Sequence, residues 1–136
     1  MKNLTTAIYA KKTGSTFETA INSRLYKVIA PENPTFPYAV FKVIDDTPEH
    51  TYSESYENVL IQFSLYSSTS GTTEVEDIFT KLCALYDECS LSITGETLVH
   101  MQRQSAYLIS EEHTTINGLQ KIWHYPVEYF LLVQRN

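Results

Sequence analysis

Four histidines and two cysteines are the side chains of this chain best able to hold a metal or move a proton near neutral pH. His100 and His124 both fall in stretches of strand pattern, on the faces opposite Val99 and Tyr125. As neighbours across a ladder they could seat a metal, but no carboxylate pattern accompanies them. They read as ordinary strand histidines, and no metal is expected. Glu49-His50 and Glu111-Glu112-His113 each place a carboxylate beside a histidine. Adjacent residues rarely converge on one reacting atom, so both read as solvated loop charge. Cys83 and Cys89 stand six residues apart in helical pattern, a rotation of about 600° that points the thiols in different directions. Two reduced thiols are expected, with neither a disulfide nor a zinc site. No G-x-S-x-G, G-x-G-x-x-G or P-loop is present, and four glycines leave little with which to cradle phosphate. The chain is therefore read as a non-enzyme with no catalytic residue and no cofactor.

The elements that position these residues follow from periodicity. Leu4, Ala7, Ile8 and Lys11 keep helix spacing, Gly14 breaks it, and Phe17, Ala20, Ile21 and Leu25 resume it. Three prolines in residues 30–37 exclude regular helix and central strand. Residues 38–44 are β-branched and aromatic, and Val59, Ile61, Phe63 and Leu65 alternate with polar residues across 57–66. These two strands read as an antiparallel pair joined by a long acidic loop from Asp45 to Glu57. Thr73 and Glu76 have capping-box spacing ahead of a helix whose buried stripe is Val75, Ile78, Phe79, Leu82, Tyr86 and Cys89. Residues 97–109 form a long mixed strand with Val99, Met101, Tyr107 and Ile109 on one face. An Asn-Gly turn at Ile116-Asn117-Gly118 precedes a last strand over 121–133. That strand carries Trp123, Tyr125, Val127, Tyr129, Leu131 and Val133 on a single face. The predicted fold is a single α+β domain over 1–136, with a helical region at 1–25 and sheet plus helix at 26–133. Its single antiparallel-dominated sheet has about four strands, with helices packed on one face.

Composition bounds the function classes. With 136 residues, 43% hydrophobic and 19% charged, the chain is sized for one domain with a real core. The run 129–133 is far shorter than the ~20 residues that span a bilayer, and no signal-peptide pattern opens the chain, so no membrane partner is expected. Sixteen acidic against ten basic side chains give a net charge of −6, with the basic residues scattered. Direct nucleic-acid binding is not expected.

The acidic loop points instead to protein partners. It holds Asp45, Asp46, Glu49, Glu54 and Glu57, interleaved with Tyr52 and Tyr56. Polar loops this long are uncommon in a compact domain without a task, and tyrosine is enriched at interfaces. Glu49, His50, Tyr52, Glu54 and Tyr56 are the candidate interface arm.

Taken in order, several segments resemble the phage tail completion proteins, also called tail terminators. The resemblance is carried by Arg24-Leu25-Tyr26, Ala30-Pro31, the strand entry 37–41, Thr47-Pro48-Glu49-His50, the strand 59–66 running into the helix, and the closing 125–129. It covers nearly the whole chain. It implies a structural virion protein at the head-proximal end of a tail tube, assembled in the host bacterial cytoplasm. Such a subunit would close with copies of itself into a ring, often a hexamer, that stops tube polymerisation. Its partners would be the tail tube protein and a head completion or connector protein. Two departures, the interruption at 12–15 and a polar segment before the last strand, make a head-tail connector component the alternative role.

Two further readings compete. A small α+β pocket protein or enzyme could bind an apolar ligand on the aromatic face of the last strand, and would lose it when Trp123 is changed. A cytoplasmic adaptor could use the acidic loop for a basic partner, in a salt-sensitive complex.

Overall fold

The computed structural model describes residues 2–115 and 118–136. Its elements in chain order are α1 (Lys2–Lys11), α2 (Thr16–Ala20), β1 (Leu25–Lys27), β2 (Tyr38–His50), β3 (Ser55–Ser67), α3 (Thr73–Tyr86), β4 (Ser92–Ile93), β5 (Glu96–Ala106), β6 (Ile109–Thr115) and β7 (Gly118–Arg135). About half of the chain is strand. The expected four-stranded antiparallel α+β sheet is thus corrected to a mostly-β fold with one curled, mixed sheet of seven strands, ordered β1-β2-β3-β7-β5-β4 with β6 also on β7. β1 pairs in parallel with β2, and every other pairing is antiparallel.

The missing strands were hidden for identifiable reasons. Leu25 keeps helix spacing with Ile21, yet the chain is already in β1, because Asn22 and Ser23 take positive φ and turn it out of α2. Most of the acidic stretch is not loop. β2 runs on to His50 and β3 begins at Ser55, with partners from Asp45↔Leu60 to His50↔Ser55, so the turn is only residues 51–54. The long strand at 97–109 is two strands on one edge of β7. Tyr107 donates its amide to the Pro126 carbonyl at 3.4 Å, but proline has no N–H to return the bond. The ladder therefore breaks there and resumes as β6 in unchanged register, Ala106↔Val127 before the gap and Ile109↔His124 after it.

Bulges bend the sheet. Ile44 in β2 and Val99 and Gln104 in β5 have no partner in the register. An extra residue flips the faces beyond it. Val99 consequently lies 49% exposed while Met101 is fully buried, so the expected common face for these two does not form. The expected Asn-Gly turn lies mostly outside the described residues, although Thr115 and Gly118 are register partners on either side of it.

The core lies between the helices and the odd-numbered residues of β3 and β7. Val59, Ile61, Phe63 and Leu65 meet Val127, Tyr129, Leu131 and Val133, all fully buried. Leu4 and Ile8 of α1, Phe17 of α2, and Val75, Ile78, Leu82 and Tyr86 of α3 join the cluster, as do Leu25, Ala39, Phe41 and Met101 from the other strands. Phe63, Tyr86 and Tyr129 pack ring on ring, with Phe63–Tyr86 centroids 4.8 Å apart. The capping box predicted at Thr73 and Glu76 does not form. The helix begins one residue earlier in effect, with Thr72 as N-cap in αR geometry, and its hydroxyl turns to the Glu76 carboxylate at 3.2 Å. A capping pair the periodicity reading passed over does form at α2. Ser15 Oγ accepts from the Glu18 amide at 3.0 Å, and the Glu18 carboxylate accepts from the Gly14 amide at 3.1 Å.

Candidate interface surfaces

The five candidate interface residues lie on the β2–β3 hairpin, which stays within the sheet: β3 pairs with β7 from Ser55↔Arg135 to Ser67↔Trp123. Among the described residues, β1 covers β2 only from Ala39 to Phe41. From Lys42 to His50 the outer edge of β2 therefore has no strand beside it. Open edges invite strand addition, and natural proteins guard them with charge and proline. Asp45, Asp46, Pro48 and Glu49 supply both. At the tip the Thr51 amide donates to the Glu54 carbonyl at 2.9 Å, and the Glu54 amide donates to the Thr51 hydroxyl at 3.1 Å. This clasp leaves Tyr52 wholly in solvent, at 111% relative exposure.

The other arm residues are held by near neighbours on the hairpin. Asn58 donates to the Glu49 carboxylate at 3.0 Å, and His50 Nδ1 faces Ser55 Oγ at 3.1 Å. The Tyr56 hydroxyl donates to Glu54, and that carboxylate pushes the phenol pKa up. The five predicted residues are thus brought together, on a ladder and its turn, whereas Glu57 is not part of an exposed loop. It is 6% exposed, on the face of Val59, and paired with Arg135 at 2.5 Å.

A second surface lies at the base of the arm. Ile29 donates its amide to the Lys27 carbonyl at 2.8 Å while Val28 sits at φ 71°. That i to i+2 bond around a positive φ is a γ-turn of the rare, strained hand, and a β-branched residue at its centre is an outlier. The Val28 amide makes a last bond to the Phe41 carbonyl at 2.8 Å, and the chain then leaves the sheet. Val28 and Ile29 end 60% and 78% exposed. They flank a groove of about 290 Å³ whose other walls include Pro31, Tyr38, Val40 and Lys42.

The third cluster crosses the even-numbered face of the sheet. Tyr38, Tyr66 and His124 are register partners on β2, β3 and β7, and their rings stack at 4.8 and 4.4 Å. Burial pushes the Tyr38 phenol up to about 12 and raises Tyr66 as well. Glu111 of β6 reaches both His124 Nδ1 at 3.2 Å and His113 Nε2 at 3.4 Å. Burial nevertheless lowers the His124 pKa, against the pull of Glu111. Its Nε2 is buried without a hydrogen-bond partner.

His100 and His124 lie in strands as read, but they are not neighbours across a ladder. His100 pairs in register with Leu132 and packs on Phe130, so it is eight positions along β7 from His124, about 27 Å. Glu49-His50 and Glu111-Glu112-His113 lie in β2 and β6, not in loops. Among the described residues no three His, Cys, Asp or Glu side chains gather as a metal set. Cys83 and Cys89 are free and half-buried, and α3 ends at Tyr86, so Cys89 lies beyond the helix. The aromatic face of the last strand is core: Tyr125 stacks on Phe79 of α3 at 4.4 Å, and the residues beyond it are buried. No described helix is long and apolar enough to cross a membrane.

The comparisons bear on the whole chain. The family described as "Tail completion protein gp17" matches residues 4–122. A chain of the "Virion of native gene transfer agent (GTA) particle" superposes with a TM-score of 0.81 at 10% identity, covering 98% of this chain and 96% of that one. A second solved chain superposes at 0.51 with 15% identity over 93% and 94% of the two chains. At these identities the likenesses speak to the fold. No curated protein sequence matches.

Proposed function

The chain belongs to the tail completion protein gp17 family, structural proteins of the phage tail, and from that premise we propose that it closes a ring on the end of the tail tube. The ring sits at the head-proximal end, stops tube polymerisation, and offers a joining surface to a head completion or connector protein. Six copies of this chain form it. The observation that carries this reading is the arm. It is a hairpin whose outer edge from Lys42 to His50 lacks a strand neighbour among the described residues and whose tip presents Tyr52 to solvent.

A hairpin anchored in the sheet keeps its shape when free, so docking it costs less conformational entropy than ordering a loop. Its acidic side chains repel a second arm, which disfavours a two-fold arm-to-arm contact and favours a head-to-tail one. Head-to-tail contacts repeat around an axis until they close. The arm residues Glu49, His50, Tyr52, Glu54 and Tyr56 are the donor side of that contact.

Light scattering of the purified chain, alone and with tail tubes, followed by negative-stain imaging, tests the proposal. Closed rings, free or on tube ends, support it. A chain that neither self-associates nor caps tubes refutes it.

A further inference from the structure

We infer that the groove beside the Val28 γ-turn is the socket for the arm of the next copy, with Tyr52 as the inserted side chain. The inference rests on the ring reading, and supplies the surface which that reading leaves unnamed.

Three observations converge on the groove. The first is the strain: a β-branched residue is held at φ 71°, which costs free energy, and two large aliphatic side chains are thereby held in solvent. Burying Val28 and Ile29 under a partner would offset that cost. The second is shape. The groove of about 290 Å³ has apolar walls in Val28, Ile29, Pro31 and Val40, and Tyr38 also lines it. An exposed tyrosine is the side chain of this molecule best suited to fill it, since its ring buries apolar area while its hydroxyl keeps a polar contact.

The third is charge. Lys42 stands in the groove wall and Lys27 on the adjoining strand, both exposed and neither in an ion pair among the described residues. Lys2, Lys11, Arg24 and Lys121 are likewise in no ion pair among the described residues, but none of them lines the groove. Glu49 and Glu54 beside Tyr52 supply the complementary sign. Donor and socket lie at opposite ends of one strand. The strand runs on eight residues from Lys42 to His50, about 26 Å, and Tyr52 lies in the turn beyond it. Donor and socket are therefore separate patches that do not meet within one copy, as a heterologous contact requires.

The test is a directed cross-link. The double variant Ser53→Cys with Ala30→Cys, which keeps Tyr52 and Ile29, is assembled at the concentration at which the wild-type chain is multimeric by light scattering, then oxidised with diamide. The expected result is a ladder of covalent oligomers, absent from either single variant. Lys42→Glu is expected to weaken assembly about tenfold, and Glu54→Lys in the same chain to restore it. Multimers that form but give neither ladder nor charge-swap rescue overturn the socket while leaving the ring intact. No multimer of the wild-type chain, alone or on tubes, overturns both.

Discussion

The Tyr86 hydroxyl donates a 2.7 Å hydrogen bond to the carbonyl oxygen of Ile8, joining the end of α3 to the last turn of α1 inside the core. Carbonyls in a helix's last turn run out of amide donors, and this one is buried away from water. The phenol is held far from ionisation by its burial. Tyr86→Phe keeps the ring packing with Phe17, Phe63 and Tyr129 but strips the carbonyl of that donor. The expected loss is about 1–3 kcal/mol in denaturant unfolding, with an unchanged m-value. A loss below ~0.5 kcal/mol would show that water replaces the phenol.

His124 predicts a pH dependence. Its pKa is lowered from 6.5 by burial, with Glu111, His113 and Tyr66 facing it. The unfolded chain therefore takes up this proton at a higher pH than the folded one. Stability is full above about 6.5 and falls as the pH drops from there towards the folded value. His124→Gln should flatten that part of the curve, read by thermal unfolding between pH 7.5 and 5 in steps of ~0.5. An unchanged slope would assign the dependence elsewhere.

Lys12 and Glu18 act in a lower range. Lys12 is 5% exposed and its ammonium lies 3.0 Å from the Glu18 carboxylate. That bond, with the Gly14 amide, holds the Glu18 pKa below 4.5. Its contribution is present above 4.5 and is lost as the pH falls through the folded value. Glu18→Gln is expected to lower the melting temperature at pH 7 and to narrow the gap to wild type at pH 3. A constant gap across that range would contradict the assignment.

Much of the sheet was legible because β3 and β7 bury one face each, and alternation reports a half-buried strand faithfully. Val59 to Leu65 and Val127 to Val133 were read in this way and are buried as read. What was not legible depends on partners distant in sequence. Residues 45–50 carry charge and proline because they form an edge, and edge chemistry looks like loop chemistry in a sequence. The Val99 and Gln104 bulges erase alternation in β5, and three residues are too few for β1 to show a period. The candidate arm residues were picked out by composition alone. The groove at Val28 was missed because an exposed Val-Ile pair before three prolines gives no periodic signal. A positive φ at a valine is visible only in the structure.

The arm should be dispensable for folding. Tyr52 is wholly exposed, so Tyr52→Ala should leave unfolding free energy within about 0.5 kcal/mol of wild type. Assembly should be lost in the same variant, read by light scattering. A folded variant that assembles normally would remove Tyr52 from the contact.

The central claim is that this chain ends the tail tube and joins it to the head. Electron microscopy of particles from a phage lacking the chain tests that most directly. The account predicts tubes of uncontrolled length and heads without tails, both corrected when the wild-type chain is supplied. Tails of normal length attached to heads in its absence would contradict it.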